Sequence, residues 1–158
     1  MSKLSHVDKE NRPTMVDVSD KLVSDREAHA QSVLVLPDDV LQQVSDDEIQ
    51  TSKGPVFATA IIAGVMAAKK THELIPFCHP IGLDSCKVTI VLRGNKAVID
   101  CHCKVTHKTG VEMEALTGAS IAALTVYDML KALSHDIIIS ETRLMAKSGG
   151  KRDYRRAD

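Results

Sequence analysis

Two alternating runs joined by Gly94-Asn95 constrain this chain more than any other feature. In the first, Cys86, Val88, Ile90 and Leu92 alternate with Lys87, Thr89 and Arg93. The second, Lys96 to Thr106, sets Ala97, Ile99, Cys101, Cys103 and Val105 against Asp100, His102 and Lys104. A period of two puts each set on one face of a strand, and a two-residue Gly-Asn connection suits a tight hairpin. The chain therefore contains an antiparallel sheet with one apolar face and one wet or interfacial face.

Other elements can be placed around that hairpin. Residues 26–36, REAHAQSVLVL, alternate as a strand that Pro37 ends. Asp38 or Asp39 is suited to cap a short helix over DDVLQQV, and Pro55 to open a second one. Val56 to Ala68 is apolar nearly all round, so that helix needs cover on several sides, part of it available from another subunit. Glu112 to Leu133 reads as a long Ala- and Leu-rich helix, and Ile137 to Met145 as a last strand. The expected architecture is a single α+β domain over residues 1–158. It is a ferredoxin-like split β-α-β-β-α-β, an antiparallel sheet with helices on one face. Residues 1–20 are expected to form an irregular arm and residues 148–158 a flexible basic tail.

Composition narrows the class. Aromatics make up 3% of the 158 residues and Trp is absent, so small aliphatic side chains must build the core. A formal net charge of −1 gives no field favouring nucleic acid, and any anion site must be a local cluster of Lys and Arg. The polar start MSKLSHVDKENRP lacks the apolar core of a signal peptide. Val56 to Ala68 also falls short of the roughly 20 residues that span a bilayer. These features predict a cytoplasmic protein that does not use a membrane. Its four cysteines, Cys78, Cys86, Cys101 and Cys103, are expected to be reduced structural thiols, because no CxxC pair or His pair suggests zinc.

Chemistry-bearing residues cluster in five places. Glu112 and Glu114 lie at the start of the long helix, where acids also simply favour the helix dipole. Asp128 and Lys131, three apart near its end, equally suit a solvated ion pair. Fourteen positions separate Glu114 from Asp128, about 21 Å of helix. One small-molecule site can use both ends only if a symmetric dimer sets one chain's start beside its partner's end. His79, in the proline-stiffened Ile75-Pro76-Phe77-Cys78-His79-Pro80, suits proton transfer or, equally, fixing its loop through a backbone carbonyl. Lys53-Gly54 and Lys147-Ser148-Gly149-Gly150-Lys151 offer lysine charge beside glycine amides, without P-loop spacing.

Several segments together resemble the MoaC family of cyclic pyranopterin monophosphate synthases. They are Met15-Val-Asp-Val18, Lys53-Gly54 with Val-Phe-Ala-Thr following, Ile75-Pro-Phe-Cys-His-Pro80 and Thr109-Gly-Val-Glu-Met-Glu-Ala-Leu-Thr117. Tyr127-Asp-Met129 with Lys131, and Ala146-Lys-Ser-Gly-Gly-Lys151, continue the match over nearly the whole chain. The resemblance implies conversion of 3′,8-cyclo-7,8-dihydro-GTP to cyclic pyranopterin monophosphate and pyrophosphate, in molybdenum cofactor biosynthesis. It implies a homohexamer, a trimer of dimers with the site at a dimer interface, and a radical GTP cyclase acting in the preceding step. Asp128, Lys131 and Lys53 are then the catalytic set, with lysines of lowered pKa expected to move protons. Phe77, Cys78, His79, Glu112, Met113 and Glu114 are substrate-binding, and Lys147, Lys151 and Arg26 contact phosphates. No redox cofactor or resident metal is implied, although a magnesium ion can accompany the triphosphate. A non-catalytic nucleotide-binding or assembly protein on this scaffold is the alternative, and a zinc hydrolase using Cys78 and His79 a third. Ile61, His107 and Gly118 depart from the family pattern, where Arg, Gly and Ala respectively are common.

Overall fold

The computed structural model describes residues 5–157. Strand β1, Ser24–Val35, runs through the middle of an antiparallel sheet. On one side it pairs with β6, Lys96–His107, in continuous register from Ser24 opposite His107 to Val35 opposite Lys96. On the other it pairs with β7, Ile138–Ser148. β5, Ser85–Arg93, joins the far side of β6, and the two-residue β8, Tyr154–Arg155, joins β7. The order β5-β6-β1-β7-β8 is the split pattern expected from the sequence, with one short strand added. Gly94 takes φ +61° at the first turn position, as a II′ hairpin turn requires.

The long helices are α2, Val56–Lys69, and α4, Glu112–Leu130, and they pack on each other and on the sheet. The alternation in β6 decides which face they cover. Ala97, Ile99, Cys101, Cys103 and Val105 are buried in one core with Ala115, Ala119, Ala122 and Val126 of α4. With so few large side chains, the helices fill space by approaching closely. A Cβ on Gly64 would lie 2.9 Å from the Gly118 carbonyl oxygen; one on Gly118 would lie 2.7 Å from Cys101 Sγ. Glycine at 118, one of the departures, is therefore fixed by the sulfur beneath it. Outward, α2 leaves Ile62 and Met66 exposed, and α4 leaves Leu124 exposed. No helix among the described residues is long and apolar enough to cross a membrane.

Three expectations need correction. The helix over DDVLQQV is one turn, α1 (Asp38–Leu41), with Pro37 at the N-cap and both aspartates inside the first turn. Val44 already belongs to a small sheet of β2 (Val44–Ser45), β3 (Glu48–Thr51) and β4 (Gly54–Pro55). Asp46 and Asp47, at φ 51° and 57°, turn the chain between the first two. Short polar side chains are among the few that tolerate this left-handed region. Helix α4 stops at Leu130, leaving Lys131 as its C-cap. The segment after Ser148 does not leave the sheet as a free tail. It turns back to form β8, and the Arg156 Nε donates to the Leu144 carbonyl at 2.9 Å.

α3, Thr71–Leu74, follows α2 and leads into the proline loop. The start of α2 is held by Glu48, whose carboxylate accepts from the amides of Ile49 (2.8 Å), Phe57 (2.8 Å) and Ala58 (3.0 Å). Burial works against its charge, but these amide donors outweigh it and keep the carboxyl below its usual range.

Candidate active site

The first turn of α4 points Glu114 into a cavity of about 240 Å³, shared with Phe77, Cys78, His79 and Met113. Glu114 is 4% exposed. Burial pushes its carboxyl up to about 7, its own amide opposes the shift, and the charge of Glu112 adds to it. Burial and then the Glu114 charge also raise the Cys78 thiol. The His79 Nε2 lies 2.7 Å from the Val16 carbonyl oxygen. A carbonyl only accepts, so Nε2 carries the proton and ties the proline loop to the N-terminal arm. The anchoring role foreseen for His79 is present, and its ring still lines the cavity.

A second, more polar cavity of about 310 Å³ adjoins the first and shares Lys21, Arg26, Gly110 and Glu112 with it. Glu27, Lys147, Ser148, Gly150 and Lys151 also line it. Lys147 Nζ donates to Glu112 Oε1 at 2.8 Å, joining β7 to the start of α4. The Arg26 Nη2 donates to the Lys108 carbonyl at 3.2 Å, while its buried Nε has no partner among the described residues. One lobe thus offers a buried carboxylate beside Phe77 and Met113, the other adds Lys147 and Lys151, and Lys21 and Arg26 line both. That pairing suits a ligand with a hydrogen-bond-donating ring at one end and negative charge at the other.

Asp128, Lys131 and Lys53 meet elsewhere, at the far end of α4. Lys131 Nζ lies 2.7 Å from Asp128 Oδ1, and Lys53 Nζ lies 3.4 Å from Oδ2. Lys53 arrives from the β3–β4 turn, where Gly54 takes φ +113° and Thr51 Oγ1 accepts the Lys53 amide at 3.2 Å. None of the three lines either cavity. The expected lowering of lysine pKa is absent at Lys131. Its hydrogen bond to Asp128 holds the ammonium above the usual lysine range, and the same bond holds the Asp128 carboxyl low. At Lys131, attraction to the Asp128 carboxylate outweighs the opposing effect of burial.

The family resemblance assigns Phe77, Cys78, His79, Glu112, Met113, Glu114, Arg26, Lys147 and Lys151 to substrate binding, and the structure gathers all nine around the two lobes. Sequence reasoning missed Lys21, which lines both lobes from a segment without periodicity. The nearest signal was Met15-Val-Asp-Val18, whose Val16 and Val18 line the first lobe. His107, another departure, accepts the Thr109 amide at Nδ1 (3.3 Å), shaping the turn into α4. Ile61, the third, packs partly buried against the core.

The MoaC family model matches residues 15–150. This chain belongs to the MoaC family. A relative named cyclic pyranopterin monophosphate synthase, from Xanthomonas axonopodis pv. citri, is 53% identical over 96% of this chain and 93% of its own length. Molybdenum cofactor biosynthesis protein 1 of Dictyostelium discoideum is 51% identical over 95% of this chain, which spans only 27% of that protein. A molybdenum cofactor biosynthesis bifunctional protein of Synechocystis is 47% identical over 94% of this chain and 44% of its own length. The MoaC match takes in every residue of the two lobes from Met15 to Gly150 and the whole Asp128 cluster.

Proposed function

We propose that this MoaC-family chain is a cyclic pyranopterin monophosphate synthase of molybdenum cofactor biosynthesis. It converts 3′,8-cyclo-7,8-dihydro-GTP to cyclic pyranopterin monophosphate with loss of pyrophosphate. The observation that carries this reading is the two-lobed cavity, with Glu114 buried in one lobe and Arg26, Lys147 and Lys151 gathered at the other. Ionised Glu114 accepts from the amino and ring N–H donors of the guanine-type edge, beside Phe77, Cys78, His79 and Met113. Arg26, Lys147, Lys151 and Lys21 take the phosphates, with Glu112 orienting Lys147.

Ring opening, pterin formation and cyclic phosphate closure all need proton movement. Lys131, Asp128 and Lys53 supply it from a partner subunit, in a homohexamer built as a trimer of dimers. With its ammonium held charged by Asp128, Lys131 enters the reaction as a proton donor. A radical GTP cyclase supplies the substrate. The overall change is a redox-neutral rearrangement, so we assign no flavin, nicotinamide or iron–sulfur cofactor, and any magnesium travels with the triphosphate.

Purified protein given the cyclised GTP intermediate is expected to release the pterin product and pyrophosphate in equal amounts, read by mass spectrometry. Substrate bound but unconverted would leave a non-catalytic nucleotide-binding protein instead.

A further inference from the structure

We propose that Cys86, Cys101 and Cys103 form a three-sulfur site for a soft monovalent cation, Cu(I). This inference is independent of the synthase reading. The topology brings the thiols together: Cys101 and Cys103 share the core face of β6, and Cys86 on β5 is the register partner of Cys103. The Cys103–Cys86 sulfurs are 3.8 Å apart, the Cys101–Cys103 sulfurs 3.9 Å, and all three lie within 4.8 Å of one another. Three sulfurs placed ~2.3 Å from a central ion in one plane stand about 4.0 Å apart. The cluster therefore needs little movement to close on an ion.

The donor set decides which ion. No His, Asp, Glu or further Cys joins the group among the described residues. Zinc takes four ligands in structural sites, whereas thiolates without harder donors select soft Cu(I). Cys101 and Cys103 are buried, so water is a poor source of a fourth ligand. Half-buried Cys86 is the point of entry. Each thiol that ligates releases its proton, and no electron is transferred. Aliphatic side chains would fill the same apolar space, so packing alone does not call for three converging sulfurs. Glycine at 118 adds to this, because a Cβ there would press on the Cys101 sulfur.

The test is an anaerobic titration of the reduced full chain with Cu(I) against a chromophoric Cu(I) chelator. The expected result is one ion withdrawn per chain, with X-ray absorption showing three sulfur neighbours at about 2.3 Å. Cys86→Ala and Cys101→Ala should each lose that stoichiometric uptake while circular dichroism stays native, whereas Cys78→Ala should keep it. Because Cys86 is half-buried, its variant guards against a folding failure at Cys101. The proposal is overturned if the folded chain takes up no ion, or if Cys86→Ala binds as the parent does. Nitrogen or oxygen coordination, or Zn(II) held as tightly as Cu(I), would overturn it equally.

Discussion

The two ends of α4 carry similar chemistry in opposite surroundings. At its start Glu114 is 4% exposed and faces a walled cavity; at its end the Asp128 side chain is 54% exposed and pairs with two lysines in the open. Burial raises the first carboxyl and ammonium partners lower the second, so two acids on one helix sit on opposite sides of their ordinary range. The difference teaches which end one chain can finish alone. The start has walls, a floor and cations, whereas the end has reactive groups without an enclosure. A catalytic cluster gains most from its charges when water is excluded, and in the proposed assembly a second chain would supply that cover.

Lys131→Ala tests the open end and carries the largest expected effect. Turnover should fall by about 10²–10⁴-fold, the usual contribution of a positioned proton donor, with native circular dichroism. Near-normal product formation would remove Lys131 from the chemistry. Next comes complementation between the ends, by mixing Lys131→Ala with Glu114→Ala chains. If each site takes one end from each subunit, random pairing should restore roughly a quarter of parental activity. No recovery after verified exchange would place both ends in separate sites.

Gly118→Ala probes the helix between them. Its Cβ would meet both Cys101 Sγ and the Gly64 carbonyl, so stability should drop by about 1–3 kcal/mol in denaturant unfolding. Adding Cys101→Ala should recover part of the loss; no recovery would show that the sulfur is not the obstacle.

The smallest effect concerns the buried acid. Between pH 4.5 and about 7 folded Glu114 keeps a proton that the unfolded chain has released, so its contribution to stability is lost as pH rises through that window. Glu114→Gln should flatten this slope and stabilise the protein at pH 8 by on the order of 1–2 kcal/mol, allowing for residual solvent screening. An unchanged slope would mean that Glu114 ionises normally in the fold.

The hairpin and the long helices were legible because each writes its period into consecutive residues. Cys101 and Cys103 share a face by spacing alone, and the Glu112–Glu114 pair announces the helix start. The β2–β4 sheet was not legible, since two-residue strands are too short to show alternation and depend on neighbours for their pairing. The return of the chain through β8 rests on a two-residue pairing and on side-chain bonds of Arg156 and Asp153 to distant or folded-back backbone, neither of which writes a period into the sequence. At the site, the loops were visible as unusual residue groupings, but the Lys147–Glu112 bond joins positions 35 apart and has no local trace. Lys21 was hidden for the same reason, being defined only by what folds over it.

The Glu48 carboxylate sets the order in which the molecule should fail in acid. It replaces the missing cap of α2 and, by accepting from the Phe57 and Ala58 amides, anchors the helix start just beyond the turn that carries Lys53. That anchor is present above the ordinary glutamate range and is lost as pH falls through its lowered folded value. The Lys53 turn would therefore come loose on acidification while the aliphatic side chains of the core, which do not titrate, stay packed.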